Sequence, residues 1–190
     1  MEDPKIKKTM ALNFNKYIFY HIPKTGGNYV RDYIKNSGIP TMELGHVHCT
    51  PLEIDHYQEY TSFTVVRHPL GWYESYYRYR QVRGWTDGHF IDKHCKIGTF
   101  EDFVASMLNA YPCGYVTARY LSVLPFVDYV LETENLTEML NNLMLSFGFT
   151  RSINISKSNV TPKTIDTSIS PELYDRLLRA EGRIIKYLKY

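Results

Sequence analysis

The sequence predicts an α/β fold built on a largely parallel sheet, and three observations carry that expectation. Short apolar runs rich in aromatic and β-branched residues recur along the chain. The sharpest of them end at turns marked by Pro, Gly or Arg. Each is then followed by a stretch with the three-to-four-residue apolar spacing of a helix. Strands that alternate with helices imply parallel pairing, because a crossover helix returns the chain to the sheet in the same direction. Nothing repeats at a fixed period and no stretch is of low complexity, so one domain over residues 1–190 is expected, with helices flanking a central sheet.

Tyr17-Ile18-Phe19-Tyr20-His21-Ile22, ended by Pro23, reads as a buried strand. Lys24-Thr25-Gly26-Gly27 follows, and then a helix with Tyr29, Val30, Tyr33 and Ile34 on one face and Gly38 at its end. Residues 62–66 form a second buried strand rich in β-branched side chains. It ends at Arg67-His68-Pro69 and leads into a Tyr-rich helix over residues 70–83. Residues 84–98 have no clear period and read as a loop. Thr99-Phe100-Glu101-Asp102 resembles a capping box opening a helix through Asn109. A third strand is expected over residues 126–131, and a helix over 136–147 closed by Gly148. Ser170-Pro171-Glu172 opens the last helix, whose stripe is Leu173, Leu177, Ile184 and Leu188.

Composition narrows the function classes. Lys plus Arg number 22 against 20 Asp plus Glu, and that near balance argues against a polybasic nucleic-acid coat or an acidic tail. No apolar run approaches the roughly 20 residues that span a bilayer. The first eight residues are polar and precede no long apolar core, so neither a membrane span nor a signal peptide is expected. Cys49, Cys95 and Cys113 make an odd set without CxxC spacing, which speaks against a disulfide framework and a zinc site. A reduced, cytoplasmic protein without a bound metal is the expectation.

The first chemical signal is the junction Pro23-Lys24-Thr25-Gly26-Gly27 between strand and helix. A Gly pair lets backbone approach a ligand closely, and the helix N-terminus offers unpaired N–H groups and positive dipole, a natural anion site. Lys24 adds a full charge and Thr25 a hydroxyl. The order is not that of a Walker A loop, in which the Lys follows the glycines. A tight turn with a solvated Lys would carry the same four residues. The longer string His21-Ile22-Pro23-Lys24-Thr25-Gly26-Gly27 resembles the 5′-phosphosulfate loop of sulfotransferases that use 3′-phosphoadenosine 5′-phosphosulfate, especially the carbohydrate (Golgi-type, heparan sulfate 2-O-like) branch. The resemblance implies that Lys24, Thr25 and the backbone of Gly26, Gly27, Asn28 and Tyr29 cradle the donor's 5′-phosphate and sulfate. Asn28 departs from the usual Thr or Ser.

The second signal is Val65-Val66-Arg67-His68-Pro69, with Ser75 eight residues after the Arg. An Arg at a strand end can hold a phosphate bidentately. The pattern is similar to the 3′-phosphate motif of the same family, which implies that Arg67 and Ser75 bind the donor's 3′-phosphate. Trp72 stands where a second Arg is often found. Val130-Leu131-Glu132-Thr133-Glu134-Asn135-Leu136 is a weaker likeness to the family's later strand and E-[DN]-L segment.

The resemblance implies a P-loop nucleotide-kinase-like sulfotransferase fold and sulfuryl transfer to a hydroxyl acceptor, with carbohydrate as the expected class. Such a transfer needs a base for the acceptor proton and a cation for the leaving oxygen. Lys24 is the expected cation. Gly45-His46-Val47-His48 resembles the family's catalytic His segment, which puts His46 first as base and His48 second; Glu43 and Glu53 stay open, since other branches use Glu. Tyr73, Tyr76, Tyr77, Tyr79, Arg78, Arg80 and Arg83 either line an acceptor groove or divide into a core side and a wet side of one helix. Two other readings stand beside this one. The first is a kinase-like phosphotransferase, weakened by the Walker order. The second is a non-catalytic nucleotide-binding module.

Overall fold

The computed structural model describes residues 11–45, 49–96, 98–149 and 164–190. Five strands form one mixed sheet: β1 (Ala11–Phe14), β2 (Tyr17–Tyr20), β3 (Met42–Leu44), β4 (Thr61–Val66) and β5 (Tyr129–Glu132). Their order is β3-β1-β2-β4-β5. β2 pairs parallel with β4, and β4 with β5, whereas β1 pairs antiparallel with both β2 and β3. The protein is thus α/β as expected, but its sheet is half antiparallel rather than largely parallel. The reason is the N-terminal hairpin. Asn15, in the left-handed region at φ 57°, turns β1 directly back onto β2.

Eight α-helices lie among the described residues: α1 (Gly27–Asn36), α2 (Pro69–Arg83), α3 (Phe90–Cys95), α4 (Phe100–Ala110), α5 (Tyr115–Leu121), α6 (Leu136–Ser146), α7 (Pro171–Ala180) and α8 (Gly182–Leu188). None is long and apolar enough to cross a membrane. The chain divides into two compact units, each discontinuous in sequence: Met1–Val66 with Ser122–Ser158, and Arg67–Leu121 with Asn159–Tyr190.

The first unit contains the sheet. All four residues of β2 are buried, as a central strand covered on both faces requires. Tyr17 and Phe19 enter a core with Val30, Tyr33 and Ile34 of α1 and Leu136, Leu140, Leu143 and Met144 of α6. Tyr17 stacks on Phe147 with ring centroids 3.9 Å apart. The alternate residues Ile18 and Tyr20 project to the other face.

The second unit is helical, and its core is aromatic. Trp72 stacks on Tyr76, and Tyr76 on Phe103 at 5.9 Å and 5°. Two buried carboxylates organise it. Asp92 accepts from Tyr76 Oη at 2.6 Å and from the Thr86 N–H at 2.8 Å, and pairs with Arg80 Nε at 3.1 Å. These bonds hold α3, which the sequence leaves inside a loop. Glu181 accepts from Tyr73 Oη, from the Val116 and Thr117 N–H groups at the start of α5, and from Thr117 Oγ1. Glu181 also ends α7, so the single last helix expected from the apolar stripe is two helices.

Candidate functional site

β2 delivers the chain into a tight turn at its C-terminal end. Lys24 has φ 68° and Gly26 φ 88°, both left-handed, with Thr25 between them. A left-handed Lys costs backbone energy, so the turn must be held by further bonds. Thr25 does part of this. It is fully buried, and its hydroxyl donates to the Ile22 carbonyl at 2.8 Å. That proton is therefore spent inside the turn, not presented to a ligand as the sequence suggests. Thr25 contributes its backbone and the shape of the loop.

α1 starts at Gly27 with Gly26 as its N-cap, no side-chain cap and no acidic residue in the first turn. The positive end of the helix is consequently left without a neutralising group of its own. Gly26 is favoured by its positive φ and Gly27 by the space around it. A Cβ on Gly27 would lie 2.0 Å from the His21 ring, and one on Gly26 2.9 Å from Leu136 Cδ2. His21 stacks on Phe19 at 5.9 Å and acts as the wall of the turn. Asn28 is exposed, and Lys24 and Tyr29 are half-buried.

The second junction follows β4, the parallel neighbour of β2, with Tyr20 opposite Thr64. Arg67 comes one residue after that strand. Tyr120 holds its backbone, accepting the Arg67 N–H and donating to the Arg67 carbonyl, each at 2.9 Å. The Arg67 side chain runs along the first turn of α2: its Cγ and Cδ lie 3.4 Å from where a Gly71 Cβ would sit. Gly71 and Ser75 are four residues apart on α2 and share a face, so Arg67 lies on the side of the helix that carries Ser75. Trp72 is 2 % exposed and belongs to the aromatic core.

Thr133, just past the end of β5, was not singled out by sequence. Its Oγ1 lies 2.7 Å from the Thr25 carbonyl oxygen and 2.8 Å from that of Val66. Nor was Tyr120, which nothing distinguishes among 17 tyrosines.

The proton acceptors divide. His46 and His48 lie outside the described residues. Glu43 is paired with Arg31 and with Lys35, the latter at 2.9 Å. Burial works upward on its carboxyl, but the two cations outweigh this and hold it below the usual range. Glu53 accepts from the Thr50 N–H and hydroxyl, closing a capping box. Both carboxylates are thus committed to structure. The Tyr and Arg residues of α2 are also largely committed. Tyr73, Tyr76 and Tyr77 are buried, Arg78 pairs with Glu74 and donates to the Ile165 carbonyl, and Arg80 pairs with Asp92.

Among the described residues no group of three or more His, Cys, Asp or Glu side chains is placed to hold a metal ion. Tyr20, at the end of β2, keeps a buried hydroxyl without a hydrogen-bond partner. Burial, together with Cys49, Tyr57 and Tyr60, pushes its pKa well up. Comparison of the chain with protein-family models, with curated proteins and with solved structures gives no match.

Proposed function

We propose that the protein is a sulfotransferase that moves a sulfuryl group from 3′-phosphoadenosine 5′-phosphosulfate to a hydroxyl acceptor, with carbohydrate as the acceptor class. The observation that carries the reading is the start of α1. Its N-terminus has no side-chain cap and no acidic residue in its first turn, is preceded by Lys24, and is shaped by Gly26 at positive φ and by Gly27, where a Cβ would meet the His21 ring. That is the chemistry of an oxyanion cradle. The Arg67 junction supports it, because a second strand-to-helix turn with an Arg at its head follows the neighbouring parallel strand. Ligands of open α/β sheets gather at such carboxyl ends.

In this reading Lys24 and the backbone of Thr25, Gly26, Gly27, Asn28 and Tyr29 hold the 5′-phosphate and sulfate. Arg67 and Ser75 hold the 3′-phosphate. The acceptor oxygen attacks sulfur in line, the bond from sulfur to the bridging phosphate oxygen breaks, and adenosine 3′,5′-bisphosphate leaves. Lys24 neutralises charge on that bridging oxygen. The acceptor proton passes to His46, or to His48, as general base. The P-loop nucleotide-kinase-like arrangement belongs to the same proposal.

The test is transfer of radiolabelled sulfate from the donor to a panel of sugar alcohols and oligosaccharides. Labelled product that vanishes in Lys24→Ala is expected. Donor binding without transfer to any acceptor would leave a nucleotide-binding module in place of an enzyme.

A further inference from the structure

The register of the sheet explains how Thr133 reaches two places at once. β5 lies beside β4 with Glu132 opposite Val66, so the next residue, Thr133, emerges over the end of β4 and faces the turn that follows β2. Its Oγ1 is within hydrogen-bond distance of Thr25 O and Val66 O. A Thr hydroxyl has one proton and so cannot satisfy both carbonyls fully; it shares the bond or alternates between them. Its Cγ2 lies 3.8 Å from the Cβ position of Gly26, so the side chain also packs against the turn.

The two carbonyls are not arbitrary. Thr25 is the middle residue of the turn, between the left-handed Lys24 and Gly26. Val66 is joined by one peptide bond to Arg67. We infer that Thr133 is a positioning residue that couples the two phosphate-binding segments, so that occupation of one by an anion favours the geometry of the other. The inference rests on the sulfonucleotide reading above and adds to it the link between its two halves. No group other than this hydroxyl, among the hydrogen bonds of the described residues, joins Thr25 to Val66.

The prediction concerns the advantage of a second phosphate. Affinities for adenosine 3′,5′-bisphosphate and for 5′-AMP are measured by calorimetry on the full chain, in wild type, Thr133→Val and Thr133→Ser. Val keeps the shape and removes the hydroxyl, whereas Ser keeps the hydroxyl. Thr133→Val should lose about tenfold in bisphosphate affinity, the scale of one hydrogen bond, with a much smaller loss for 5′-AMP. Thr133→Ser should restore the difference.

Should Thr133→Val not fold, Thr133→Ser against Thr133→Ala isolates the hydroxyl on a shorter side chain. A purely structural Thr would lower the melting temperature and leave the ratio of the two affinities unchanged, and that result overturns the coupling alone. Wild type that binds neither nucleotide overturns the sulfonucleotide reading and the coupling with it.

Discussion

The hydroxyl of Tyr120 grips the backbone of Arg67 from both sides, accepting its N–H and donating to its carbonyl at 2.9 Å each. Two main-chain groups that leave the sheet at the end of β4 are thereby satisfied by one buried side chain, and Arg67 is fixed at its root. Tyr120→Phe removes the oxygen and little else. It should destabilise the protein by about 1–3 kcal/mol, the cost of leaving such groups unpaired. Urea denaturation reads this directly, and an unchanged midpoint would show that the clamp is idle.

Glu181 makes a comparable prediction at the joint of α7 and α8. It is fully buried and takes four hydrogen bonds from three residues. Glu181→Gln replaces one acceptor oxygen with an NH2 that faces donors. A loss of about 1.5–3 kcal/mol is expected, since bonds to a charged group are the strong ones. Equal stability of the two forms in chemical denaturation would mean that these bonds contribute nothing net.

His89 gives a pH dependence. Burial lowers its pKa, Asp92 works in the opposite sense, and Arg80 lowers it further; the net direction is down. Its contacts are Tyr76 Oη at 3.3 Å and Asp92 Oδ1 at 3.6 Å. The folded protein therefore favours the neutral imidazole. The stability that this contributes is complete above the unfolded value of about 6.5 and is lost as pH falls toward the depressed folded value. Melting temperatures of wild type should drop more across that window than those of His89→Gln. Parallel curves would contradict the shift.

Gly27 tests the turn itself. A Cβ there meets the His21 ring at 2.0 Å, too close for any side chain. Gly27→Ala should displace the turn and abolish nucleotide binding. Adding His21→Ala opens the space and should recover part of the affinity, if His21 is only a wall. No recovery in the double variant would give His21 a direct part in binding.

Much of this was legible in the sequence, and the gaps have physical causes. The β2 and β4 runs and the helices after them stand out because each pairs a buried strand with a turn of Pro, Gly or Arg. The Thr99 capping box is present, with the Asp102 N–H donating to Thr99 Oγ1 at 3.1 Å. β1 was hidden by Asn13 at its centre, a polar residue whose side chain is satisfied locally by the carbonyls of Asn15 and Tyr17. β3 is short and its Met42 is exposed, so it carries no apolar run. α3 and α5 are too short to show a period, and both are held by tertiary bonds to Asp92 and Glu181. The Lys24–Gly27 turn and the Arg67 junction stood out as motifs. Thr133 and Tyr120 were not, because their work is done on backbone carbonyls and amides far away in sequence.

Arg67 provides the sharpest residue-level test of the site. Arg67→Ala should weaken binding of a 3′-phosphorylated nucleotide by roughly 2–5 kcal/mol while leaving 5′-AMP little changed. An equal loss for both would move Arg67 away from the 3′-phosphate.

The most direct measurement of the central claim is calorimetric titration of the wild-type protein with adenosine 3′,5′-bisphosphate, set beside ADP and ATP. Tight binding that disappears when the 3′-phosphate is absent is the expected result. Equal or tighter binding of ATP, or no binding of any nucleotide, would contradict the assignment of a sulfonucleotide site.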